Sequence, residues 1–91
     1  MTMNAIWLKI DPERVAQTCT EALGKLDGAG SEVVLDFSSV RRIGPDAIGA
    51  LEQFAVTAGE KAVKVALCGV SVEVYKVLKL VKLTARFSFL D

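Results

Sequence analysis

Short apolar segments with the character of β-strands alternate with longer segments of helical periodicity along the whole chain. The strand-like segments cover residues 5–10, 32–37, 62–67 and 86–90, the last being either a strand or an extended tail. Helical segments fill the intervals, and crossovers of that length join parallel strands. The order predicts a single α/β domain over residues 1–91, with a mostly parallel or mixed sheet of about four strands and about three helices.

The clearest strand holds three consecutive apolar residues, Val33, Val34 and Leu35. A strand that alternates apolar and polar residues has one solvated face, whereas a continuous apolar run is typical of a strand buried on both faces. This segment is therefore predicted to be a central strand covered on both faces.

Each helical segment carries start signals. Asp11 followed by Pro12 predicts the first helix start, Pro45 with Asp46 the second, and Ser71 caps the third. Residues 27–31 are predicted to be a loop after the first helix, and Gly59 is predicted to close the second. The apolar stripes predicted to face the core are Val15, Cys19, Ala22, Leu23 and Leu26 in the first helix, Ala47, Ile48, Leu51, Phe54, Ala55 and Ala58 in the second, and Val74, Val77, Leu78 and Val81 in the third.

Composition excludes several classes of function. The chain has no histidine, which excludes catalysis by a histidine base. It also lacks both glycine-rich phosphate-binding motifs, the P-loop and the dinucleotide-binding motif. No cofactor is therefore expected, and an enzyme is disfavoured. Cys19 and Cys68 are too few for a structural zinc site and are predicted to be buried small hydrophobes. A disulfide between them is the alternative, and a cytosolic location disfavours it. A pI near 6.2 disfavours nucleic acid as a partner. The sequence contains no run of 18 apolar residues, so insertion into a membrane is not expected. It also shows no signal-peptide pattern, and the expected location is therefore the cytoplasm.

Three motifs together resemble the STAS domain family of anti-sigma-factor antagonists and sulfate transporters. They are Val34-Leu35-Asp36-Phe37-Ser38 at the end of the central strand, Ile48-Gly49-Ala50-Leu51 in the second helix, and Leu67-Cys68-Gly69-Val70-Ser71 at the third strand-to-helix turn. Lys82-Leu83 stands where the family usually has Gly-Leu. The resemblance covers roughly residues 12–90 and implies a non-enzymatic module that binds a protein partner.

The resemblance breaks at the family's phosphorylation motif, where Asp-Ser-Ser-Gly is replaced by Gly44-Pro45-Asp46-Ala47. Pro45 aligns with the phosphorylatable serine and has no hydroxyl, so the resemblance implies that this switch cannot operate there. Ser38 and Ser39 are the nearest hydroxyls. Pro45 and Asp46 also have a purely structural interpretation, since both residue types favour the first turn of a helix.

The resemblance places the partner surface on the second helix and the loop before it. Loops at the carboxyl ends of parallel strands are also the usual functional positions in open α/β sheets. The predicted partner-binding residues are Ser38, Ser39, Arg41, Arg42, Gly44, Pro45, Asp46, Gly49, Gln53 and Val56. Simple packing and solvation are the alternative for these positions. Lys76, Lys79 and Lys82 are interpreted as a solvated face, with acidic partners as the alternative.

Three functions stay open at this point. The first is a regulatory module that binds an anti-sigma factor, a related serine kinase or a sensor kinase. The second is a STAS subunit that docks on the ATPase of a phospholipid ABC transporter. The third is a small nucleotide-binding or enzymatic α/β domain.

Overall fold

The computed structural model describes residues 5–26 and 32–90. In chain order these residues form β1 (Ala5–Lys9), α1 (Val15–Leu23), β2 (Glu32–Asp36), α2 (Pro45–Glu60), β3 (Lys64–Cys68), α3 (Val72–Leu80) and β4 (Ser88–Leu90). All three strand pairings are parallel, and the strands lie side by side in the order β1-β2-β3-β4. The predicted α/β class, strand number and helix number are confirmed. The loop predicted at 27–31 lies outside the described residues.

Within the described ranges, all three helices cover the same face of the sheet. Each crossover moves one strand further in the same direction, and right-handed crossovers then place every helix on one side. Side chains alternate between the faces of a strand, so Val33, Leu35, Val65 and Leu67 share a face, and these four join the helix stripes in one core cluster. We call this side the helix-covered face.

The opposite side, which we call the helix-free face, has a different composition. Its middle row follows the strand register across the sheet as Trp7, Val34, Ala66 and Ser88. Val34 and Ala66 are buried but lie outside the core cluster. The prediction that β2 is a central strand buried on both faces is confirmed, because Val33, Val34 and Leu35 are all buried. Sequential strand order nevertheless puts the described helices on one side only.

The first helix begins later than the sequence signals indicated. Asp11 and Pro12 form a turn in which the Arg14 N–H donates to the Asp11 carbonyl at 3.1 Å and the Glu13 N–H donates to the Asp11 carboxylate at 2.9 Å. The helix starts at Val15, after Arg14. Asp-Pro thus initiates a turn here, and both residue types are favoured in turns as well as at helix starts.

The second helix ends later than Gly59, which lies inside it. The Val63 N–H donates to the Ala58 carbonyl at 2.8 Å and the Ala62 N–H to the Gly59 carbonyl at 3.2 Å. Ala62 takes the left-handed conformation (φ 57°) that this helix ending requires, so β3 starts at Lys64 and not at 62. Lys82 (φ 63°) closes α3 with the same pattern.

The predicted apolar stripes do face the core. Most of their members are buried, while Leu23, Ile48 and Val81 are half-buried against the cluster and Val77 is half-buried. The predicted cap of α3 is confirmed, since the Val74 N–H donates to the Ser71 hydroxyl at 3.2 Å. Of the two thiols, Cys19 is buried as predicted but Cys68 is only half-buried, because it ends β3 on the helix-free face.

Candidate functional site

Two buried apolar side chains, Phe37 and Val40, anchor the loop between β2 and α2 to the core. The Phe37 N–H donates to the Cys68 carbonyl at 2.8 Å, which extends the pairing of β2 and β3 by one residue. The Val40 N–H donates back to the Phe37 carbonyl at 2.9 Å and closes a turn. Ser38 and Ser39 lie at the tip of this turn and are exposed.

Asp36 holds the first part of the loop. Its carboxylate accepts a hydrogen bond from the Ser38 N–H at 2.9 Å. Hydrogen bonding by the hydroxyl and then the N–H of Ser38 lowers the pKa of Asp36, with a smaller contribution from the charge of Lys9. The same carboxylate adds to the desolvation that raises the pKa of Cys68. Asp36 is therefore an ionised group that fixes the backbone, and the described residues hold no cluster of His, Cys, Asp or Glu suited to a metal ion.

Gly69 lets the turn after β3 approach this loop closely. Its φ is 67°, and a β-carbon there would lie 2.7 Å from the Ser38 Cβ and 2.8 Å from the Ser38 Cα. Only glycine tolerates both the conformation and the contact. Sequence reasoning found this glycine only as part of a motif, because the partner across the gap is 31 positions away.

Ser71 ties the other end of the loop to α3. Its hydroxyl donates to the Arg41 carbonyl at 3.0 Å while it accepts from the Val74 N–H. One side chain thus caps a helix and positions the loop. The sequence predicts the cap from Ser71 alone, but not the bond to Arg41, which depends on how β2 and β3 are paired.

The ten predicted partner-binding residues lie on one loop and one helix. Ser38, Ser39, Arg41, Arg42, Pro45, Asp46, Gly49, Gln53 and Val56 are exposed, and Gly44 is half-buried. Pro45, Gly49, Gln53 and Val56 follow one another at intervals of four, four and three, so they form one ridge on α2. We call these ten residues the loop–helix surface.

The middle of the ridge is smooth and its end is apolar. A β-carbon at Gly49 would have no atom within 4 Å, so the glycine is not required for packing inside the domain. Val56 is 50% exposed. These features permit close approach of another molecule, while Glu52, Glu60 and Gln53 supply exposed polar groups around them.

A cleft of about 440 Å³ separates the loop–helix surface from the start of α1. Its walls carry Glu13, Arg14, Arg42 and Asp46, two residues of each charge sign. Arg14 also approaches the Asp11 carboxylate at 3.4 Å. Sequence analysis missed the contribution of α1, since nothing in the pattern of Pro12–Gln17 indicates which loop it will face.

None of the helices in the described ranges is long and apolar enough to cross a membrane. Lys76, Lys79 and Lys82 are all exposed on or just after α3, and Lys82 lines a shallow pocket together with Val56 of the loop–helix surface.

The fold is similar to several solved structures. A crystal structure of a protein from Thermotoga maritima assigned as an anti-sigma factor antagonist matches all of this chain and 76% of its own, with a TM-score of 0.73 and 20% identity. The NMR structure of the same protein gives a TM-score of 0.78 at 17% identity over all of this chain and 77% of its own. A sulfate transporter family protein from Wolinella succinogenes gives 0.80 at 19% identity, over 98% of this chain and 79% of its own. Comparison with curated proteins gives no match.

The sequence itself matches a family model described as the STAS domain over residues 10–90, which is most of the chain. The match spans all three motifs that carry the resemblance and includes the loop–helix surface. The chain belongs to the STAS domain family.

Proposed function

We propose that this chain is a non-enzymatic, cytoplasmic regulatory module of the anti-sigma-factor-antagonist type, which acts by binding a protein partner through the loop–helix surface. The observation that carries the proposal is the ridge on α2, where Gly49 leaves open space and Val56 is half exposed. A surface helix with no partner has no need of a glycine in mid-helix, which costs about 1 kcal/mol relative to alanine. Close approach of a partner backbone accounts for it.

The loop beside the ridge is held before any partner arrives. Asp36, Gly69 and Ser71 each fix a different part of it. A preorganised loop loses little conformational entropy on binding, so more of the contact energy appears as affinity. This rigidity supports a docking role for the loop.

Regulation by phosphorylation at the family position is not expected in this protein. Pro45 occupies that position and has no hydroxyl, and Asp46 beside it carries less charge than a phosphoserine. We infer that binding is constitutive unless Ser38 or Ser39, both exposed, accepts a phosphate. Incubation with a cognate serine kinase and mass spectrometry of residues 38–47 tests this. Stoichiometric phosphate on either serine would show that the switch has moved.

The docking proposal is tested with two glycines of the same helix. Gly49 and Gly59 are both exposed, and a β-carbon at either has no atom within 4 Å. Gly49→Arg should leave stability nearly unchanged and weaken partner binding at least about a hundredfold, by clash and by burying an unpaired charge. Gly59→Arg, at the far end of α2, should bind like the wild type.

The measurement is calorimetric titration with the anti-sigma factor or kinase encoded nearest to the gene, after circular dichroism has verified folding. Lys79→Glu on α3 is a second control and should bind normally. If Gly49→Arg binds like the wild type while Lys79→Glu does not, the partner docks on α3 and the assignment of the surface is wrong.

A subunit role in a membrane transport assembly is the second candidate, and the similarity to the sulfate transporter family protein favours it. The same loop–helix surface would then dock on a transporter component, such as an ABC ATPase. Pull-down from cells with the wild type and Gly49→Arg separates the two, since the partner lost from the variant is either a regulator or a transporter subunit. A thermal shift with ATP or GTP would instead indicate a nucleotide-binding domain.

A further inference from the structure

The helix-free face exposes two large apolar side chains at its opposite edges. Trp7 on β1 is 62% exposed and Leu90 on β4 is 41% exposed. Between them lie Val34 and Ala66, which are inaccessible to solvent at 3% and 0% exposure. A partner that covered both edges would remove these two side chains from water, which is favourable for apolar surface.

The size gradient across the middle row is complementary to itself. In register order the row runs from Trp7 through Val34 and Ala66 to Ser88, from large to small. A twofold axis parallel to the strands, placed between β2 and β3, brings β1 of one copy over β4 of the other. Trp7 then lies over Ser88 of the second copy and beside its Leu90. The contact is made by these edge residues, since Val34 and Ala66 are already inaccessible in the single chain.

The charges at the start of β2 and β3 agree with the same axis, while Lys9 and Asp36 at the other end of the face lie over Leu90 and Cys68 of the second copy. Glu32 and Lys64 are register partners at the start of β2 and β3. The twofold rotation places Glu32 of each copy against Lys64 of the other, so four charges alternate in sign. A twofold axis across the strands would instead bring Glu32 over Asp36 of the second copy, and like charges in contact oppose association.

We propose that the helix-free face is a self-association surface on which two copies of this chain pack sheet against sheet about a twofold axis parallel to the strands. Aligned sheets of this kind stack about 10 Å apart with strands within about 30° of one another. The contact is isologous, since each residue pair occurs twice.

The area of the face sets the strength of the dimer. Three strands of five residues and one of three, spaced about 4.8 Å apart, present a face of at most roughly 19 by 17 Å. Two such faces bury less than the ~1,200 Å² of an ordinary stable interface, so the dimer is weak and forms at micromolar or higher concentration. The ridge on α2 lies on the other side of the sheet, so a dimer leaves the ridge of each copy accessible.

Trp7 is the only tryptophan of the chain and therefore a built-in probe. Sedimentation velocity over about 10 µM to 1 mM should show the mass rising from monomer toward dimer, with the midpoint giving Kd. Over the same range the Trp7 emission should shift to the blue as its ring leaves water. A constant monomer mass overturns the proposal, and so does a blue-shifted emission in the monomer, which would mean that another segment of the chain covers the face.

Charge reversal tests the geometry. Glu32→Lys and Lys64→Glu should each raise Kd at least about tenfold by creating like-charge contacts, and the double reversal should return Kd to within about threefold of the wild type. Glu52→Lys, the same substitution on exposed α2, is the matched control and should leave Kd unchanged. A dimer that is insensitive to both single reversals uses a different interface, and the proposed axis is then wrong.

Discussion

The two faces of the sheet bury their residues by different means. On the helix-covered face, Val33 and Leu35 pack against the apolar stripes of three helices. On the helix-free face, Val34 is equally inaccessible at 3% exposure although it lies outside that core. Similar exposure values therefore stand for different amounts of packing, and the difference can be measured.

The largest expected difference concerns the two thiols, which lie on opposite faces. Cys19 faces the core from α1, and burial raises its pKa to about 11. Cys68 is half-buried at the end of β3, where desolvation and then the Asp36 charge raise its pKa less. Because the thiolate is the reactive form, native alkylation at pH 8 should modify Cys68 at least about a hundredfold faster than Cys19.

Mass spectrometry of tryptic peptides after timed alkylation assigns the two rates, and the single variants Cys19→Ser and Cys68→Ser identify each product. The experiment is run at low protein concentration so that self-association does not protect Cys68. Equal rates would show that the helix-free face is as closed as the core.

A matched pair of valines gives the next largest effect. Val33→Ala removes two methyl groups from the helix-covered core and should lower the free energy of unfolding by about 2–3 kcal/mol, from lost burial and a residual cavity. Val34→Ala should cost about 1 kcal/mol, because Val34 lies outside the cluster that packs against the described helices. Both changes lose the same β-propensity, so the difference isolates packing.

Urea unfolding of both variants with the wild type gives the two values, and an unchanged m-value verifies that the unfolded states are comparable. Equal losses would mean that the helix-free face is packed as densely as the other, against a segment outside the described residues.

The smallest expected effect concerns the helix-covered side of the sheet, where a helix ends in a residue with a strained backbone conformation. Lys82 closes α3 in the left-handed conformation. Lys82→Gly should raise the free energy of unfolding by up to about 1 kcal/mol, since glycine adopts this conformation without the steric cost of a β-carbon. Thermal unfolding measures the gain, and Lys76→Gly, in the middle of α3, should be destabilising by a similar amount. A loss at both positions would contradict the assigned helix ending.

The sequence predicts the architecture well because periodicity and helix caps are local. The apolar run at Val33–Leu35 identified β2, and Ser71 identified the start of α3. The ends of the elements were predicted less accurately. Asp11-Pro12 is typical of a turn as well as of a helix start, and Ala62 is not of a residue type that usually adopts the left-handed conformation. Contacts between distant segments could not be predicted, above all Gly69 against Ser38 and Ser71 bonding Arg41, because they depend on strand register.

The sequential order of the strands also sets how the chain can fold. Each strand pairs with the next one along the chain, so every strand pairing joins segments that are close in sequence. The loops that must close are therefore short, which lowers the entropic cost of forming the sheet. The unit β2-α2-β3 holds the central pair of strands and the longest helix, and we expect it to form first. Core changes such as Val33→Ala should then slow folding, whereas changes on β1 or β4 should mainly speed unfolding. The edge strands, and with them Trp7 and Leu90, would be the last parts of the sheet to become fixed.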